Sequence, residues 1–206
     1  MSKNKQYDSK WDKCKNFDEV LALSHVKEKE LAMYLIKYCG FLNVIPVGNT
    51  HKTYSVNEVE EIKLPDLLGF YNGGRPIYIE AKHKNRRIKY RDNGVNLDLI
   101  QHYLKAQKHL GAEVYILFKD DLKELNENKD GIKIDTFIDK DGNELWYGNS
   151  LNLLLKKFRF GTGANNQIVV YFPLSAMLPI DKLPFGKQTT LPEIIIKEIL
   201  GKGDSL

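Results

Sequence analysis

The sequence predicts an α/β fold in which a mixed central β-sheet is flanked by helices. Helical patterns and β-prone runs follow one another in the order α-β-β-β-α-β between about residues 25 and 120. The turn Asn72-Gly73-Gly74 between two of these runs predicts a β-hairpin. The apolar run Glu113–Phe118 is suited to a strand buried on both faces.

The elements before the hairpin are a helix, a strand and a loop. Glu28–Cys39 is predicted to be a helix, because its apolar residues recur at helical spacing and Gly40 follows them. Phe41–Val47 is predicted to be a strand. His51–Lys63 is polar without clear periodicity and is predicted to be a mobile loop.

The elements after the hairpin follow from the same signals. Leu97–Leu110 is predicted to be a helix closed by Gly111, and the buried strand comes next. The remaining predictions are a peripheral hairpin at Lys133–Trp146 turning at Asp139–Asn143, a helix at Asn149–Phe158, a strand at Gln167–Phe172, an added edge element at Val170–Leu174, and a terminal helix at Pro192–Leu200 that begins with proline.

The chain has the size of one domain. We expect a single domain over residues 1–206, with a core at about 25–120 and additions at about 120–206. The net charge of +4, from 31 Lys and Arg against 27 Asp and Glu, does not by itself indicate nucleic acid. Two cysteines and a polar amino terminus without a signal peptide indicate a reducing compartment. No stretch approaches the ~20 apolar residues of a membrane span. The sequence therefore predicts a cytoplasmic protein, in the host cell if a phage encodes it.

The hairpin brings two acids and a lysine together. Side chains alternate along a strand, so Glu80 and Lys82 project from one face, roughly 6 to 7 Å apart. A three-residue loop pairs Tyr71 with Arg75, and counting back in that register places Asp66 opposite Glu80. A two-residue loop would turn Asp66 to the other face, and we predict the three-residue loop. An isolated Glu-x-Lys would usually be a solvated strand face, but Asp66 at matching spacing favours a site.

Glu28 is a candidate third carboxylate. It lies three residues before Leu31 and seven before Leu35, so it extends the apolar stripe of the first helix. An acid on an inward face needs a partner or a metal to offset its desolvation. Glu30 lies on the side where solvent is expected. An equally weighted alternative is that Glu28 is an acid of the first helical turn, favoured by the helix dipole.

These residue types suit phosphodiester hydrolysis. Hard carboxylate oxygens select Mg²⁺ or Mn²⁺. The cation activates water and offsets charge on the phosphorus, and a lysine ammonium adds a further positive charge. The sequence does not decide between one ion and two. A basic run follows the site and is commonly a solvated loop, but its position suits phosphate neutralisation. We therefore predict DNA contacts from its cations Lys84, Arg86, Arg87, Lys89 and Arg91.

The residues resemble the PD-(D/E)XK nuclease superfamily, and within it the archaeal Holliday junction resolvases and related phage nucleases. The resemblance covers roughly residues 28–118 and rests on an ordered set of elements. These are the helix ending at Gly40-Phe41, the pair Pro65-Asp66, the triplet Glu80-Ala81-Lys82, the helix with Gln101 and Tyr103, and the strand Val114–Phe118. It implies a restriction-endonuclease-like αβββαβ core and a divalent-metal-dependent endodeoxyribonuclease.

The resemblance also implies roles and partners. It places Asp66, Glu80 and the main-chain carbonyl of Ala81 on the metal, Glu28 on the metal or its water, Lys82 beside the attacking water, and Gln101 near the site. It further implies a homodimer, because a junction has two symmetric strands to cut. After Phe118 the likeness fades, which leaves junction specificity open.

Other interpretations also stay open. A restriction enzyme cutting a specific duplex sequence would use segments such as Asp120–Lys157 as base-reading loops. A non-catalytic nucleic-acid-binding protein that keeps the fold is a third possibility, and the intact set of Asp66, Glu80 and Lys82 counts against it. RNA also stays open as a substrate.

Overall fold

The computed structural model describes residues 17–47, 54–56, 60–71, 74–120, 137–163, 166–187 and 189–202. Its helices are α1 (Phe17–Tyr38), α2 (Leu97–Leu110), α3 (Leu151–Leu154) and α4 (Glu193–Gly201). Its strands are β1 (Phe41–Pro46), β2 (Tyr54–Val56), β3 (Glu60–Ile62), β4 (Leu67–Tyr71), β5 (Pro76–His83), β6 (Asp92–Asn96), β7 (Glu113–Lys119), β8 (Tyr147–Ser150), β9 (Arg159–Thr162), β10 (Ile168–Pro173) and β11 (Leu178–Pro179). Two 3₁₀ turns, Leu174–Ala176 and Ile180–Lys182, flank β11.

A six-stranded mixed sheet in the order β1-β4-β5-β7-β8-β11 forms the centre of the fold. β5 and β7 pair in parallel, and the other neighbours pair antiparallel. α2 connects the two parallel strands, as a crossover between parallel strands requires. The predicted mixed sheet flanked by helices is confirmed, and α1, β1, β4, β5, α2 and β7 follow the predicted order.

The sheet has an apolar core on each face, and alternation along β5 decides which residues enter which core. Ile77 and Ile79 pack on the face covered by α1. Tyr78 packs on the other face, with α2. Because side chains alternate along a strand, Glu80 and Lys82 share the α2 face with Tyr78. The central strand thus points its charged end toward α2.

The segment predicted as a mobile loop at 51–63 contains structure instead. Tyr54–Val56 and Glu60–Ile62 pair antiparallel as a small hairpin. Ile62 is 1% exposed and anchors this hairpin in the protein interior. The strands are too short for a periodic pattern to appear in the sequence, which explains the error. Residues 51–53 and 57–59 of that prediction lie outside the described part of the chain.

The chain after β7 also differs from expectation. Tyr147–Ser150 forms β8 of the central sheet, so the helix predicted at Asn149–Phe158 shrinks to Leu151–Leu154. Gly148 permits this pairing, since a Cβ there would lie 1.9 Å from the carbonyl oxygen of Ile116. The turn at Asp139–Asn143 is confirmed by the hydrogen bond from the Asp139 amide to the Asn143 carbonyl, 2.9 Å. The earlier part of that hairpin lies outside the described residues.

A second, three-stranded sheet in the order β6-β10-β9 corrects the assignment of an added edge element at Val170–Leu174. β10 is the middle strand of this sheet and pairs antiparallel with both neighbours. β6, with the sequence Asp-Asn-Gly-Val-Asn, carries turn-type residues and gives no local strand signal. Among the described helices, none has the length and apolar character needed to cross a membrane.

Candidate active site

The β4–β5 hairpin adopts the register that the three-residue loop predicts. Leu67 pairs with Ile79, and Phe70 pairs with Pro76. Continuing this register by one residue places Asp66 opposite Glu80, at the end of the pair. Two acids from separate strands therefore lie side by side where β4 begins and β5 approaches its end.

Asp66 is held in place by main-chain contacts. Its carboxylate accepts a hydrogen bond of 2.8 Å from the amide of Ala81, and its own carbonyl accepts one of 3.0 Å from the amide of Val47. The residue is 7% exposed. Burial, followed by the negative charge of Glu80, raises the pKa of Asp66 well above its usual range, although Lys82 and the Ala81 amide oppose this. Folding thus forces two acids together in a poorly solvated place.

Glu80 and Lys82 form an ion pair inside this site. Glu80 is fully buried, whereas the Lys82 side chain is 24% exposed, and the ammonium contacts Oε1 of Glu80. Burial alone would lower the pKa of Lys82, but the charges of Glu80 and then Asp66 outweigh it and raise that pKa. Lys82 is therefore a permanent cation at neutral pH. It stands between the buried acids and solvent.

Tyr103 on α2 is a site residue for which the sequence suggested no role. Its side chain is 1% exposed, and its hydroxyl lies near enough to Glu80 for that carboxylate to act on it. Burial and then the negative charge of Glu80 raise the pKa of Tyr103 well above its usual value, so the hydroxyl stays protonated. The sequence did contain a signal for this residue, since Tyr103 lies on the apolar face of the helix that follows β5. A buried tyrosine hydroxyl needs a polar partner, which indicates a polar group beneath that face.

The two acids of α1 occupy different environments. Glu28 lies near enough to influence the pKa values of both Asp66 and Lys82. It contacts the ring of His25 at 3.2 Å. The helix begins at Phe17, so Glu28 lies in its middle and not in its first turn, which removes the helix-dipole explanation. Glu30 instead pairs with Lys27 at 2.9 Å.

The carboxylates of Asp66 and Glu80 suit a metal cation that takes its remaining ligands from water and phosphate. Within the described residues, no group of three or more His, Cys, Asp or Glu side chains is arranged to hold a metal ion. Mg²⁺ is commonly bound by one or two carboxylates plus waters and substrate phosphates. Among the described residues, neither buried carboxylate oxygen of Glu80 has a hydrogen-bond partner, and Lys82 is the cation that pairs with Oε1. Such oxygens are suited to a cation.

Gln101, the remaining predicted catalytic residue, points elsewhere. Its amide nitrogen donates to the carbonyl of Ile199 at 2.8 Å. It therefore connects α2 to α4, and its role in the acidic site stays a prediction. Tyr103, two residues later, takes the position on the helix that faces Glu80.

The basic run is divided between structural and surface cations. Arg86 is 5% exposed, and its guanidinium and main-chain amide both donate to the carboxylate of Asp120. Arg86 thus neutralises a buried carboxylate inside the protein, and a DNA contact from it stays a prediction. Much of Lys84 is exposed, but its ammonium donates to the carbonyl of Gly94 at 2.6 Å. Lys89 and Arg91 are exposed.

Among solved structures, the chain is similar to Archaeoglobus fulgidus Hjc, a Holliday junction resolvase from an archaeal hyperthermophile. The identity is 17%, the match covers 77% of this chain and 97% of that one, and the TM-score is 0.45. No protein-family model matches the chain, and no curated protein matches it.

Proposed function

We propose that the protein is a divalent-metal-dependent nuclease that hydrolyses phosphodiester bonds in DNA, with its active site at Asp66, Glu80 and Lys82. The observation that carries this proposal is the burial of two adjacent carboxylates beside a lysine. Burying like charges side by side opposes folding unless a partner offsets them. A divalent cation is the partner that hard carboxylate oxygens select.

The residues have distinct roles in this proposal. Asp66 and Glu80, with the carbonyl of Ala81, hold Mg²⁺ or Mn²⁺, which supplies an activated water and charge neutralisation at the phosphate. Lys82, kept protonated by the acids around it, orients that water and offsets the charge that develops on the phosphate. Tyr103 fixes the rotamer of Glu80 through its hydroxyl. Glu28 holds a water at the edge of the cluster.

We extend the proposal to branched DNA and a homodimer on the basis of the family resemblance of residues 28–118. Cutting two symmetric strands of a four-way junction requires two copies of the site related by a twofold axis. Such an enzyme acts on DNA in the cytoplasm, which is that of the host if a phage encodes the protein.

Cleavage of a substrate panel in Mg²⁺ and Mn²⁺ tests the proposal. The panel contains a four-way junction, a linear duplex, single-stranded DNA and RNA. We expect Asp66→Asn and Glu80→Gln to lose cleavage by at least about 10³-fold and Lys82→Ala by about 10²-fold, because each removes charge aimed at the reacting phosphate. Binding of the same substrates in EDTA should persist in all three variants.

Lys108→Ala is the matched control, because Lys108 is an exposed lysine on α2. It should cut like the wild type. Normal cleavage by Asp66→Asn, Glu80→Gln and Lys82→Ala would refute the site assignment. Preference for the junction over the duplex would favour the resolvase form of the proposal, and cleavage of the duplex at one sequence would favour a restriction enzyme.

A further inference from the structure

A layered stack of rings and guanidinium groups lies on the three-stranded sheet. Tyr171 on β10 lies over two glycines of the neighbouring strands. A Cβ at Gly94 or Gly161 would come within 2.6 or 2.9 Å of its ring. The guanidinium of Arg87 lies 3.3 Å from the centroid of the Tyr171 ring and 4.6 Å from that of Tyr90. The stack therefore extends from the sheet surface to Tyr90.

A buried carboxylate fixes the cations of this stack. The Asp92 side chain is 2% exposed and accepts two hydrogen bonds from Arg87, 2.8 and 2.9 Å long. The same carboxylate accepts a hydrogen bond of 3.1 Å from Arg159. Two guanidinium groups on one carboxylate leave a net positive charge. Both cations are oriented before any ligand arrives, which lowers the entropy cost of binding.

Tyr90 is presented to solvent by a closed turn. Tyr90 is 51% exposed. Arg87, Arg159 and Lys89 lie near its ring, the last two at 4.9 and 5.6 Å from the centroid. The Arg87 amide bonds the Asp92 carbonyl at 2.8 Å and closes the turn. Arg91 has a φ of +49°. Its amide donates a hydrogen bond to the Ile88 carbonyl, and its carbonyl accepts one from the Leu174 amide. An exposed aromatic ring among fixed cations is the arrangement that stacks nucleic-acid bases.

We propose that Tyr90 is a stacking platform for an unpaired base, and that Arg87, Arg159 and Lys89 contact the phosphates beside that base. The ligand is a single-stranded segment of nucleic acid, as occurs at a branch, flap or gap. A base in an intact duplex has both faces covered by its neighbours and cannot stack on a protein ring without being flipped out. The inference deepens the proposed nuclease function. It rests on that function only where it treats the bound strand as the substrate to be cut.

The stack lies next to the acidic site. Lys84 donates to the Gly94 carbonyl under the Tyr171 ring. Desolvation of its ammonium end, followed by the charges of Lys82 and Arg87, lowers the pKa of Lys84 to about 8. Lys84 is two residues after Lys82 in the chain, and its hydrogen bond to Gly94 joins the end of β5 to the sheet that carries the stack.

Binding in EDTA tests the platform without any cleavage. Fluorescence anisotropy would compare a ~12-nucleotide single strand with a duplex of equal length, and 2-aminopurine in the single strand would report stacking. We expect Tyr90→Ala to weaken single-strand binding about tenfold and to abolish the 2-aminopurine quenching, because base stacking on an aromatic ring contributes that much. Tyr90→Phe should retain both. Duplex affinity should change by less than about twofold, since its phosphate contacts remain.

Tyr38→Ala is the matched control, because Tyr38 is 61% exposed and has Lys37 5.0 Å from its ring centroid. It should bind both DNAs like the wild type. The inference fails if wild-type protein does not bind the single strand, if Tyr90→Ala binds it normally, or if Tyr38→Ala weakens binding equally. It also fails if Tyr90→Ala weakens single strand and duplex alike. If wild-type protein cuts no substrate in Mg²⁺ or Mn²⁺ while Tyr90 shows the expected binding, only the proposed function fails.

Discussion

Neutralising Asp66 should stabilise the metal-free protein. The cluster contains the carboxylates of Asp66, Glu80 and Glu28 against the one ammonium of Lys82. Residues opposite each other on paired strands have side chains about 5 Å apart. Two charges at that distance repel by about 3 kcal/mol at an effective dielectric constant of about 20. Lys82 and the Ala81 amide offset part of this, so we expect a net gain of about 1 to 2 kcal/mol for Asp66→Asn.

The stability gained by Asp66→Asn should increase as the pH rises. The pKa of Asp66 is raised in the folded state, so ionisation of the carboxyl opposes folding. The stability that the protonated form contributes is present below the unfolded pKa of about 3.9 and is lost as the pH rises through the folded pKa. Asparagine does not titrate and can still accept the Ala81 hydrogen bond. The advantage of Asp66→Asn should therefore be present at about pH 8 and disappear near about pH 4.

Thermal unfolding in EDTA and in Mg²⁺ measures both effects. Asp66→Asn should raise Tm by roughly 2 to 8 °C in EDTA at about pH 8, given 2 to 4 °C per kcal/mol at this chain length. Adding Mg²⁺ at about ten times its Kd should stabilise the wild type by about 1.4 kcal/mol and leave the variant unchanged. Asp98→Asn is the control, because the Asp98 side chain is 60% exposed. A lower Tm for Asp66→Asn in EDTA, or a Tm difference independent of pH, would refute the argument.

Two further substitutions test the packing around the site. Arg86→Met should lower the free energy of unfolding in urea by about 3 to 5 kcal/mol, because it leaves Asp120 buried without its cation. The exposed Arg75→Met should change it little. Normal stability with lost DNA binding in Arg86→Met would contradict this structural role and favour a phosphate contact from Arg86. Gly148→Ala should destabilise by at least about 2 kcal/mol, because its Cβ would meet the backbone of Ile116 and separate β7 from β8. Gly201→Ala is its control, because a Cβ there meets nothing within 4 Å. Equal unfolding curves for the two alanine variants would contradict the close approach of Gly148 to the Ile116 carbonyl.

The elements that the sequence predicted well are those fixed by short-range signals. The hairpin register followed from the turn and the alternation, and it placed Asp66 beside Glu80. α2 ends where predicted because Gly111 adopts a φ of +64° and its amide bonds the carbonyl of Gln107 at 3.1 Å. Each of these signals lies within a few residues of the feature it determines, so no tertiary information was needed.

The contacts that the sequence did not reveal join residues far apart in the chain. Arg86 appears in the sequence as one cation among several, and its partner Asp120 is 34 residues away. β6 has turn-type residues and becomes a strand because β10, more than 70 positions later, pairs with it. Gln101 lies on the face of α2 that meets α4, and the position of α4 could not be inferred from local pattern. Tertiary pairing overrides local preference at each of these places.

This division between local and distant contacts also separates two functional properties. The acidic pair and its lysine lie within Asp66–Lys82, so the proposed hydrolytic chemistry is built by one hairpin. The stack of Tyr90 depends on Tyr171 and Arg159, which the chain after β8 supplies. A change in the hairpin should therefore alter metal response without altering the preference for single strands. A change in the second sheet should alter that preference at constant metal response, because Tyr171 and Arg159 lie outside the hairpin that holds the acidic pair.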